Sequence, residues 1–84
     1  MNVDFRKVEI EGIDGQKEAA DLSKIIGNAL YSNGKTLEVV ELARAIWKDG
    51  KIEVKAEDKK ILEEQIPQLF PTYIIQSAIL NMLK

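Results

Sequence analysis

Neither cysteine nor histidine occurs in the 84-residue sequence, and there are only two prolines. The missing cysteine rules out a disulfide framework, a thiolate nucleophile, a zinc–thiolate centre and an iron–sulfur cluster. Without histidine the chain lacks the one side chain whose ordinary pKa lies near neutrality, and with it any Ser–His or Cys–His triad. No apolar run reaches the ~20 residues of a membrane-spanning helix. Neither sign of charge dominates: 12 Lys and Arg against 14 Asp and Glu leave −2. Such a balance announces neither a nucleic-acid nor a membrane partner. The five glycines (Gly12, Gly15, Gly27, Gly34, Gly50) fit neither a dinucleotide fingerprint nor a P-loop, and Asp14–Glu18 departs from the EF-hand spacing. No cofactor and no metal are therefore expected. With no nucleophile–base pair to name, the chain is not expected to be an enzyme.

What is present describes a folded domain. Apolar residues make up 45% of the chain and charged residues 31%, richer in apolar groups than disordered chains. The length allows one core, hence a single domain over residues 1–84. The N-terminal residues Met1-Asn2-Val3-Asp4-Phe5 do not form a basic region leading into an apolar stretch. No signal peptide is read there, and a cytoplasmic location is expected.

Along residues 3–13, Val8 and Ile10 alternate with Lys7, Glu9 and Glu11, the period of a half-buried strand. Asp14-Gly15 supplies a tight turn, and a return strand over Gln16–Ala20 completes a hairpin. From Asp21 the period becomes helical: Leu22, Ile25, Ile26, Ala29 and Leu30 share one arc, with Ser23, Lys24, Gly27 and Asn28 opposite. Asp21 is placed to accept from the first free amides, and Asn33-Gly34 reads as a left-handed stop.

A second helix from Thr36 to Lys48 has Val39, Val40, Leu42, Ala43, Ile46 and Trp47 on its apolar face, which predicts a core position for Trp47. Glu41 and Arg44 are spaced to pair, and Gly50 closes the helix. Ile52–Val54 is a short strand able to join the hairpin as a third. A third helix starts near Glu57, turns Ile61, Leu62 and Ile66 inward, and is ended or kinked by Pro67. Pro71 is placed to begin a fourth helix. The expected fold is α+β: an N-terminal β-hairpin plus a short third strand, with four helices packed against it.

The last helix is apolar nearly all round. Ile75, Ala78, Ile79, Met82 and Leu83 cover one arc, Tyr73, Ile74 and Leu80 fall outside it, and Ser77, Asn81 and Lys84 make a narrow polar stripe. Such a helix is either the centre of the fold or half of an interface. Tyr73, Ile74, Leu80 and Leu83 are the candidate partner interface, for a homo-oligomer or a larger protein assembly. A different reading comes from Arg44, Lys48, Lys51 and Lys55, which run from the second helix into the short strand. Two helices followed by a strand evoke a winged helix-turn-helix, which makes a small nucleic-acid-binding regulator the alternative. Glu38 and Glu41 weigh against it, since carboxylates beside those cations repel phosphates. The carboxylate pairs Glu57-Asp58 and Glu63-Glu64 point apart on a helix and read as solvated surface.

The run Asp21-Leu22-Ser23-Lys24-Ile25-Ile26-Gly27-Asn28-Ala29-Leu30-Tyr31, followed by Glu41-Leu42-Ala43-Arg44-Ala45-Ile46-Trp47, resembles small uncharacterised proteins encoded by bacteriophages and prophages of gut bacteria. The similar layout extends to Ile52–Val54 and Glu57-Asp58. The resemblance implies a phage-like origin and a role in particle assembly or host takeover. It brings no residue role with it.

Overall fold

The N-terminal alternation resolves into two strands rather than one. The computed structural model, which describes all 84 residues, places β1 at Asn2–Asp4 and β2 at Val8–Glu11. Between them the Asp4 carboxylate accepts from the Arg6 backbone N–H at 3.0 Å and from its guanidinium Nε at 2.9 Å. Lys7 N–H donates to the Asp4 carbonyl, and Phe5 is driven completely into the core. The Arg6 hydrogen bond holds the Asp4 carboxyl below the usual carboxylate range and raises the guanidinium in return.

This break redirects the chain. β2 pairs antiparallel with β3 (Lys17–Ala20) in the expected hairpin, Val8 opposite Ala20 and Ile10 opposite Glu18. β1 instead pairs antiparallel with β4 (Lys51–Glu53), Val3 opposite Ile52. The third strand therefore does not extend the hairpin, and the molecule has two separate two-stranded sheets. Phe5 N–H donates to the Gly50 carbonyl, continuing the β1–β4 ladder into the turn.

The helices are α1 (Ser23–Asn33), α2 (Leu37–Asp49), α3 (Ala56–Leu69) and α4 (Tyr73–Asn81). Asp21 takes the Ser23 amide at 3.0 Å and its hydroxyl at 2.6 Å, which keeps the Asp21 carboxyl low. The buried side of α1 is Ser23, Ile26, Gly27 and Leu30, whereas Ile25 is exposed. That face is rotated from the arc drawn on the sequence, toward its small residues. Gly34 is extended (φ −69°, ψ 128°), not left-handed. Asn33 Nδ2 closes the last turn instead by donating to the Ala29 carbonyl. In α2, Thr36 Oγ1 accepts from Val39 N–H, and Gly50 at φ 73° terminates the helix as read.

α3 runs through Pro67 to Leu69. The amide missing at Pro67 falls in the last turn, where its would-be acceptor Glu63 is exposed to water. Pro71 lies just before the N-cap Thr72 rather than inside α4. One contiguous core of 16 residues draws on β1, β2 and all four helices, with Phe5, Ile26, Ile46, Leu62, Ile66 and Ile79 fully enclosed.

Candidate functional site

The apolar C-terminal helix is divided between core and surface. Ala78 and Ile79 are buried against β2 and α3, and Leu83 just beyond the helix is 1% exposed. Leu83 is thus a core residue and leaves the candidate interface, because the chain after Asn81 folds inward on turns that bond Leu83 N–H to the Leu80 carbonyl. Leu80 is half-buried against the core. Tyr73, at 74%, and Ile74, at 48%, stay exposed. They form one lip of a groove of about 560 Å³ between the hairpin and α4, whose other wall carries Lys7, Glu9, Glu11 and Lys17. Gln76 secures the start of α4 by donating to the Phe70 carbonyl at 3.2 Å.

A second groove lies between α1 and α2, and sequence reasoning missed it. Gly27 is its cause. A Cβ built there would stand 2.6 Å from Trp47 Cβ and 3.0 Å from the Ala43 carbonyl oxygen, so the two backbones meet where no larger residue fits. The indole cannot enter a gap that narrow, and Trp47 lies along the groove, 46% exposed, instead of in the core. Lys24 Nζ stands 3.7 Å from the indole centroid and donates to the Trp47 carbonyl at 2.6 Å. Arg44 stacks over Tyr31 at 5.6 Å and makes no ion pair with Glu41, since the molecule's one salt bridge is Arg6–Asp4. The groove measures about 330 Å³, and Arg44 and Lys48 line it without any carboxylate. A signal for this site was present: Ser23 and Gly27, one turn apart, form a small-residue edge where another helix can come close.

The four sequence-predicted cations do not converge. Arg44 and Lys48 belong to the α1–α2 groove, while Lys55 lines a separate depression with Glu38, Glu41, Glu57 and Asp58. Lys51 is exposed on β4. No wing hairpin follows α2 either, because β4 pairs with β1 and leads straight into α3. No three carboxylates gather to hold a cation, and no helix is long and apolar enough to cross a membrane. Compared with protein-family models, curated proteins and solved structures, the chain has no significant match.

Proposed function

We propose that this chain is a non-enzymatic interaction module that docks through the hairpin–α4 groove, with a second copy of itself as the first partner and a larger protein assembly as the second. A phage-like origin would make that assembly a particle or a host complex. One observation carries the reading: Tyr73 and Ile74 remain exposed at the groove's lip, although the same helix commits Ala78 and Ile79 to the core. Large apolar groups left in water beside a concave surface are the usual mark of a binding face. The opposite wall supplies both signs of charge, two lysines and two glutamates, which gives a docked segment a fixed register more than raw affinity.

The alternative of a nucleic-acid-binding regulator lacks comparable support, because Lys55 sits among carboxylates and the remaining cations diverge. The test compares the solution mass of the wild type with Ile74→Glu and Tyr73→Glu across concentration. Folded variants that associate less than the wild type are expected. Variants that unfold would make the first turn of α4 a purely structural element and defeat the reading.

A further inference from the structure

The hairpin tip carries an isoleucine for which the fold has no use. Ile13 is fully exposed, the most exposed large apolar side chain in the molecule. Turns select Gly, Asn, Asp, Ser and Pro for conformational reasons, and a β-branched side chain answers none of them. The tip is nevertheless well fixed. Gly15 N–H donates to the Gly12 carbonyl at 3.0 Å, Gly12 N–H to the Gln16 carbonyl at 2.7 Å, and Gln16 N–H to the Asp14 carboxylate at 3.1 Å. Gly15 holds the φ of +84° that the turn requires. Ile13 is thereby presented on a rigid turn, with Glu11 two residues before it and Asp14 next to it.

The α1–α2 groove is complementary on both counts. It is lined by Gly27, Asn28, Tyr31, Ala43 and Trp47 together with two cations, Arg44 and Lys48, neither of which is ion-paired to a carboxylate. At about 330 Å³ it stands at the small end of binding cavities. No hairpin residue of the same copy lines it.

We propose that the α1–α2 groove of one copy receives the hairpin tip of another, Ile13 inserting beside Trp47 while Glu11 and Asp14 meet Arg44 and Lys48. A foreign acidic peptide would fit the same chemistry, but the matching element, an apolar knob between two carboxylates on a preformed turn, is already present in this chain. Rigidity on both sides lowers the ordering cost of the contact. The contact is small, so affinity falls in the weak range, roughly 0.1–1 mM. Knob and groove are different surfaces, which makes the contact heterologous: it closes into a ring or propagates. This goes beyond the hairpin–α4 docking proposed above: of the residues lining that groove it uses Glu11 alone, and none of Tyr73, Ile74 or Leu80.

Trp47 is the only tryptophan in the chain, so its emission reports this groove alone. The experiment titrates a knobless reporter, Ile13→Asp, with a dark chain that keeps its knob, Trp47→Ala. Trp47→Phe replaces the latter should Trp47→Ala fail to fold, since either is dark under tryptophan-selective excitation. A saturable blue shift is expected by ~1 mM titrant. The shift should weaken roughly threefold to tenfold with Glu11→Lys in the titrant and diminish in high salt. Titrant carrying both Ile13→Asp and Trp47→Ala should give none. An unchanged spectrum, or an equal shift with the knobless titrant, would overturn the proposal. Association through Tyr73 and Ile74 leaves Trp47 emission unaltered, so the two surfaces are told apart by one readout.

Discussion

The two grooves are built on opposite plans. Between α1 and α2 the backbones meet at Gly27 and Ala43, and the groove is what remains where a large indole cannot enter. Between the hairpin and α4 a two-stranded ribbon faces a nine-residue helix along its length, and the hairpin wall is made of the long flexible side chains of Lys7, Glu9, Glu11 and Lys17. The first is rigid, aromatic and charged with one sign. The second is adjustable and charge-balanced. If both grooves bind as proposed, a rigid floor would select by shape and a wall of lysine and glutamate by register. Exposure of an apolar residue is decided here less by its own helix than by how closely the facing element approaches.

Substitutions can break this contrast in order of severity. Ile79→Ala, in the platform beneath the hairpin–α4 groove, should cost about 2–5 kcal/mol and lower Tm accordingly, because Ile79 is fully enclosed. Gly27→Ala attacks the other floor. Its methyl meets Trp47 Cβ and backbone rather than a yielding side-chain end, so a loss of about 1–3 kcal/mol is expected in denaturant melts. Thr36→Ala, which removes the cap of the α2 wall, should cost about 1 kcal/mol. Ile74→Glu, one turn or so from Ile79 on the same helix, should stay within about 0.5 kcal/mol of the wild type in stability. If Ile74→Glu proved as damaging as Ile79→Ala, the division of α4 into buried and presented residues would fail.

The pH response sharpens the comparison in another way, since the shifted groups lie in the scaffold and not in either groove. Asp4 and Asp21 are both held below their ordinary value of 3.8 by hydrogen bonds present only in the folded chain. Their contribution is therefore complete above that value and is lost as pH falls through the lower folded values. Acid melts of Asp4→Asn combined with Asp21→Asn should show a flatter decline below pH 4 than the wild type, with unchanged groove behaviour near neutrality.

Elements set by local chemistry were legible in the sequence. The Asp14-Gly15 hairpin turn, the Thr36 cap, the Gly50 stop and the inward Leu62 and Ile66 stand where spacing placed them. What escaped was decided by contacts distant in sequence. The alternation of residues 3–13 conceals a turn, because Phe5 leaves the strand for a core that residues far downstream complete. Trp47 lies on an apolar arc yet stands outside the core, since a helical wheel does not record that Gly27 brings α1 too close. Periodicity puts Leu83 on the apolar arc of a helix running to the last residues and leaves its interface role open, but the helix ends at Asn81 and the chain turns inward to bury it. Of the interface residues named from sequence, Tyr73 and Ile74 are the two left presented.

The most direct test is a dilution series of amide chemical shifts on the wild-type chain, from ~1 mM to ~20 μM, which brackets weak self-association. The account predicts concentration-dependent shifts gathered at Tyr73–Ala78 and Lys7–Glu11 and, for the second surface, at Ile13, Lys24–Tyr31 and Ala43–Lys48. The exposed side of α3 around Glu63 and Glu64 should stay constant. Shifts that are invariant everywhere, or that move only on α3, would contradict it.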